Sequence, residues 1–174
     1  TRQAVPRLKI TKGVILNISS ILGHVGAPFS SAYSMTKAGI LALTRALAVE
    51  LAPSEVRVNS ISPGWIQVEK DRTVSKLYGR YDDKTIARYL ELFGDYEDKR
   101  CLFNQPLKKI GIPEDVARCA LFLVSQDARF ITGADFIVDG GVMAMVAEPL
   151  RFNLEELIPV MHEGQKAMQW LAQK

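Results

Sequence analysis

The chain is poor in the residues from which most specialised sites are built. It holds 2 cysteines and 2 histidines in 174 residues, too few and too scattered to draw a metal-ligand cluster. Nor can Cys101 and Cys119 form the disulfide framework of a small secreted domain, so we expect reduced thiols in an intracellular, cytoplasmic protein. The roughly eighteen unbroken apolar residues of a membrane-spanning helix are missing; the most apolar stretch, ending at Leu51, carries Lys37, Arg45 and Glu50. The opening Thr-Arg-Gln-Ala-Val-Pro-Arg-Leu-Lys is charged and lacks the apolar centre of a signal peptide. A net charge of +3, made of 22 basic and 19 acidic residues that are well mixed, argues against nucleic acid or a membrane surface as a partner.

What is present is an ordinary globular composition, 48% apolar and 24% charged, with enough length for one domain with a real core. The organising stretch runs from Val14 to Leu51. Val14 to Ile18 follows Gly13 as a short, β-branched apolar run, which predicts a strand buried on both faces. Gly23, Gly26 and Pro28 mark a loop. From Ser31 the chain is rich in Ala and Leu and free of Pro until Pro53, so a helix of about five turns to Leu51 is predicted. That helix is apolar on nearly every side (Met35, Ile40, Leu43, Val49), so more than the sheet must cover it. Residues 1–12 read as the end of a helix that turns at Lys12-Gly13.

Tyr33 and Lys37 are four apart and share a face near the start of the predicted helix. Ser20, at the end of the predicted strand, can reach the same space. A phenol titrates near 10 and is a poor acid–base catalyst at neutral pH unless a cation favours its anion; Lys37 is such a cation. A serine hydroxyl can hold a substrate oxygen while the phenol moves its proton. Alone, a Tyr-x-x-x-Lys pair is more often an ordinary pair on a helix surface.

Val56 to Ile61 predicts a second strand, stopping at Ser62-Pro63-Gly64. A strand–helix–strand unit is parallel and right-handed, and ligands bind beyond the strands' C-terminal ends. Ser20 and Pro63-Gly64 both fall there. Further on, Pro113-Glu114-Asp115 opens a helix to Ser125, and Phe136-Ile137-Val138 predicts a third strand before Asp139-Gly140-Gly141.

Ser20, Tyr33 thirteen residues on, Lys37, the Asn59-Ser-Ile-Ser-Pro63-Gly64 segment and Asp139-Gly140-Gly141 together resemble the short-chain dehydrogenase/reductase family over about residues 1–141. The resemblance implies an α/β fold, a Rossmann-like doubly wound parallel sheet of which this chain holds the last three strands. It implies an oxidoreductase exchanging hydride between NAD or NADP and the carbonyl or alcohol carbon of a small molecule. Tyr33 would be the general acid–base, Lys37 its charge partner and a ligand of the nicotinamide ribose, and Ser20 the holder of the substrate oxygen. Pro63, Gly64 and the backbone near Ile66 would border the nicotinamide; where the family usually has Thr two residues after that Ile, this chain has Val68. The predicted helix to Leu51 commonly lies in a subunit interface of the family, which implies a homodimer or homotetramer.

The family's Gly-rich phosphate-binding turn does not precede Val14, and the chain does not start with Met. We therefore expect a C-terminal part of a longer protein whose first strand here presents an open edge. The alternative is a non-catalytic fragment serving as a structural or oligomerisation module. Residues 69–104, charged and punctuated by Gly79, Gly94 and Asp82-Asp83, predict two short amphipathic helices (71–81 and 84–93) and fit a substrate lid. Residues 142–174 read as a helical extension with Leu154, Leu157, Ile158, Met161, Met168 and Leu171 on its apolar side and a weak point at Gly164.

Overall fold

The computed structural model describes residues 3–27, 30–67, 81–103, 105–145 and 154–174. These form two compact units, Thr1–Gly64 with Pro113–Asp139 and Trp65–Ile112 with Gly140–Lys174.

The first unit is a three-stranded parallel sheet with helices on both faces. Helix α1 (Val5–Thr11) places Pro6 in its first turn, where no backbone N–H is needed. It ends at Lys12 in the left-handed conformation, φ 50°. Strand β1 (Val14–Ile18) follows, then a 3-10 turn at Ile21–Gly23 and α2 (Ser31–Leu51). Strand β2 (Arg57–Pro63), α4 (Pro113–Val124) and β3 (Asp135–Val138) complete it; the intervening α3 (Asp83–Phe103) belongs to the second unit. The order is β1-β2-β3, with Val14 opposite Arg57 and Ser60 opposite Asp135. The expected parallel α/β sheet is thus present, and β2 begins one residue and ends two residues later than the sequence suggests.

Alternation along β2 sends its side chains to two separate cores. Val58, fully buried, packs with Ala48, Leu51 and Val56 beneath α2 and α1. Ile61, three residues on and therefore on the other face, packs with Leu123 and Ala128 beneath α4. Arg57 and Asn59 on that second face are tied to main-chain carbonyls. Arg57 donates to Leu123 O at 2.8 Å and Ser125 O at 3.0 Å, and Asn59 donates to Ile131 O at 2.8 Å while accepting from Ala134 N at 3.1 Å. Buried polar groups on a central strand are thereby satisfied.

Strand β1 departs from expectation. It is half-buried, and Ile18 is 46% exposed, because the strand stands at the sheet's edge with one neighbour, β2. Helix α2 buries Leu41, Thr44, Ala48 and Leu51 and leaves Met35, Leu43 and Val49 exposed on its other side.

The second unit is built on α3 (Asp83–Phe103) and α5 (Leu154–Ala172). The first of the two short helices expected here (71–81) falls almost wholly outside the described residues, as does Val68. The second, expected to end at Phe93, is instead a single helix of 21 residues. Gly94 costs such a helix about 1 kcal/mol relative to Ala and does not stop it. The Asp82-Asp83 pair is no break either: Asp82 Oδ1 accepts from Thr85 N–H at 2.7 Å and so caps the helix start.

Ile86 and Tyr89 of α3 meet Ala167 and Leu171 of α5 in the unit's core, flanked by Phe93 and Trp170. Of the apolar side expected for α5, Leu171 is in that core, the side chains of Leu154 and Leu157 lie outside the described residues, and the rest is corrected. Ile158, Met161 and Met168 are exposed, whereas Gly164 and Ala167 are buried. Small residues win that face because they let two helices approach, and Gly164 lies inside the helix rather than ending it. Among the described residues no helix is long and apolar enough to cross a membrane.

Candidate active site

Three sequence-predicted residues gather where β1 ends and α2 begins. Ser20 is extended (φ −167°, ψ 156°) and opens the 3-10 turn, its Oγ accepting from Leu22 N–H at 3.2 Å. A serine hydroxyl has one donor and two acceptor lone pairs, so this bond leaves its own proton available to an oxygen placed beside it. Ser20 is 8% exposed, at a strand's C-terminal end.

The neighbouring hydroxyl has a different role. Ser19 Oγ donates to the carbonyl of Lys37 at 2.8 Å. Gly23 completes the contact: a Cβ there would lie 3.0 Å from both the Lys37 carbonyl carbon and Ser19 Oγ. The turn carrying Ser20 is thus seated directly on the backbone of the helix that carries Lys37.

Lys37 Nζ donates to the main-chain carbonyl of Ile18 at 3.0 Å and sits 5.5 Å from the centroid of the Tyr33 ring, within cation–π range. Tyr33 is 49% exposed. Helical spacing gives the pair its shared face, and the Ile18 carbonyl holds the ammonium beside the ring and at the strand end that presents Ser20. Deeper in the same face, Asn17 donates to Thr44 Oγ1 at 2.9 Å, and Thr44 returns its proton to Ile40 O at 2.8 Å.

Pro63 and Gly64 lie at the C-terminal end of β2. Gly64 N–H donates to Val138 O at 2.9 Å, and a Cβ on Gly64 would come within 2.7 Å of Asp139 Cα, so no larger residue fits. Ile66 belongs to the second unit, where it forms an isolated parallel bridge with Gly111. The bonds of that bridge run from Gln67 N–H to Gly111 O (2.7 Å) and from Gly111 N–H to Trp65 O (3.1 Å). In a parallel pair this pattern turns the N–H and C=O of the central residue the other way, so Ile66 offers a donor and an acceptor side by side.

Sequence reasoning missed Ser19, Gly23 and His24. His24 Nε2 lies 2.8 Å from Asp135 Oδ2 and 3.3 Å from Ser62 Oγ. A signal existed for Gly23, a glycine in the loop just after Ser20, where a close approach is suited to glycine; none existed for His24, whose partner is far away in the chain. Cys119, on α4, is a free thiol that burial pushes up, which disfavours the reactive thiolate.

A family model described as enoyl-(acyl carrier protein) reductase matches residues 1–143. The chain is 34% identical over 137 residues to the 3-oxoacyl-[acyl-carrier-protein] reductase FabG of Chlamydia trachomatis, covering 79% of this chain and 48% of that protein. It is 37% identical over 139 residues to the cyclopentanol dehydrogenase of Comamonas sp., covering 80% and 49%. Among solved structures, 4-hydroxyisoleucine dehydrogenase complexed with NADH superposes with a TM-score of 0.66 at 33% identity, covering 83% of this chain and 54% of that one. The chain spans about half the length of the curated relatives it matches.

Proposed function

The chain belongs to the short-chain dehydrogenase/reductase family, and on that footing we propose that the whole protein is an NAD(P)-dependent oxidoreductase acting on a small carbonyl or alcohol substrate. The observation that carries this reading is the Lys37 ammonium, anchored on the carbonyl of Ile18, two residues before Ser20, and held 5.5 Å from the Tyr33 ring centroid.

Bound NAD or NADP supplies the hydride acceptor or donor. Ser20 donates a hydrogen bond to the substrate oxygen and fixes its direction. The Tyr33 phenol gives that oxygen its proton in reduction and takes it back in oxidation. Lys37 stabilises negative charge on the phenolic oxygen and bonds the nicotinamide ribose. In this reading Pro63 and Gly64 would border the nicotinamide, and the main-chain N–H and C=O of Ile66 are a donor and an acceptor of the kind its carboxamide would need.

Residues 69–104 serve as the substrate lid and 142–174 as a helical extension to the family's domain. The exposed side of α2, with Met35 71% and Val49 77% exposed, is an apolar surface that a second copy of the protein covers in a homo-oligomer.

The test uses protein expressed from the complete reading frame. NADH or NADPH titration should saturate, and Tyr33→Phe should lower turnover by about 10²–10⁴-fold with unchanged melting. Saturable binding with a fully active Tyr33→Phe protein would sink the assignment of Tyr33. No binding of either nucleotide would favour the structural-module reading instead.

A further inference from the structure

Four residues beyond Ser20, His24 closes the same 3-10 turn, its N–H donating to Ile21 O at 2.9 Å. Its ring is the turn's only described side-chain link to the far strand. Asp135, which opens β3, receives it at 2.8 Å and also accepts from Ser60 Oγ at 2.5 Å. Ser62 stands 3.3 Å from the same nitrogen. Ser60 and Ser62 are fully buried, and the His24 and Asp135 side chains are 29% and 15% exposed.

Serine, histidine and aspartate in contact suggest a nucleophile relay, but the geometry excludes it. A relay needs the serine on one ring nitrogen and the carboxylate on the other; here both meet Nε2. A carboxylate can only accept, so Nε2 carries the proton and donates to Asp135. His24 therefore holds rather than reacts.

We propose that His24 is a positioning residue for Ser20. The turn Ile21–Gly23 has two anchors. On one side Ser19 bonds the Lys37 carbonyl and Gly23 packs on it; on the other His24 pins the turn's end to Asp135. Between these anchors the Leu22 N–H holds Ser20 Oγ. Losing the His24 anchor frees the end of the turn, and the Leu22 amide then no longer fixes the hydroxyl. The inference rests on the reading of Ser20 as the group that holds the substrate oxygen.

The test compares His24→Ala, His24→Gln, Asp135→Asn, Ser20→Ala and the Ser20→Ala/His24→Ala double variant of the complete protein. Amide exchange at Leu22 and Gly23 should quicken by about tenfold or more in His24→Ala and Asp135→Asn, while Val58 in the sheet keeps its protection. Gln reaches Asp135 with an amide N–H and should restore slow exchange. With cyclopentanol and NAD⁺ as probes, His24→Ala should lower kcat without changing NADH affinity, and adding it to Ser20→Ala should cost nothing more. Unchanged exchange at Leu22, or equal losses in both backgrounds, would overturn the proposal. Full turnover by Ser20→Ala would overturn the reading of Ser20 instead, and the Leu22 exchange rate would still decide whether the anchor exists.

Discussion

The hydroxyl of Ser19 donates to the main-chain carbonyl of Lys37 at 2.8 Å, across 18 residues of sequence. The serine beside the candidate substrate-binding hydroxyl thus grips the backbone of the candidate charge partner. One hydrogen bond fixes the spacing between the strand end and the helix face on which the proposed chemistry depends.

Gly23 is where this spacing is most easily broken. A methyl group there would press on the Lys37 carbonyl and Ser19 Oγ at 3.0–3.1 Å, tighter than ordinary contact, and both neighbours are fixed by the bond between them. Gly23→Ala should cost about 1–3 kcal/mol of stability, as overpacking does, read as a lower denaturation midpoint at constant slope. Turnover should fall further than stability alone explains, because Ser20 and Lys37 move apart. A variant with unchanged midpoint and turnover would show that the turn yields without loss.

The second unit offers a pH test. Asp82 is held below its ordinary value of 3.8, first by the backbone N–H of Thr85 and then by the Thr85 side chain. A carboxyl whose folded value is depressed contributes stability that is present above its unfolded value and is lost as pH falls through the folded one. The capping bond should therefore persist at neutral pH and fade below about pH 4. An NMR titration should place the Asp82 midpoint below 3.8, with the Thr85 amide shift following it. Asp82→Asn, still a good cap, should keep the helix and abolish that acid-dependent shift. A Thr85 amide that ignores acid in the native protein would refute the cap.

How much of this was legible in the sequence depended on distance along the chain. Strands β1 and β3 and helices α2 and α4 announce themselves by local apolar pattern and punctuation, whereas Ser20, Tyr33 and Lys37 stand out only together with the Asn59–Gly64 and Asp139–Gly141 segments, through the family resemblance. Helix α3 was misjudged because Gly94 and Asp82-Asp83 resemble breaks; one is a tolerated cost and the other includes a cap, and packing against α5 outweighs both. The packed face of α5 was only partly read: Leu171 does enter the core, but it is joined there by the small Ala167, and the larger Ile158, Met161 and Met168 stay exposed. The tie between His24 and Asp135 spans 111 residues, and no local pattern carries it.

Trp170 measures how far α3 and α5 depend on each other. Its ring lies 6.3 Å from Tyr89 and 6.2 Å, edge-on, from Phe93, and Lys174 Nζ sits 5.3 Å from its centroid. Aromatic pairs at these separations add about 0.5–1.5 kcal/mol beyond the area they bury. Complete burial of a Trp would make truncation cost about 3–5 kcal/mol; Trp170 is only partly buried, so Trp170→Ala should cost about 2–3 kcal/mol. The loss should show as faster amide exchange along both helices. Trp170→Phe should recover most of the protection by keeping a ring against Tyr89 and Phe93. If exchange quickens in α5 alone, the aromatic cluster does not support α3, and Ile86 packing against Ala167 and Leu171 suffices to hold it.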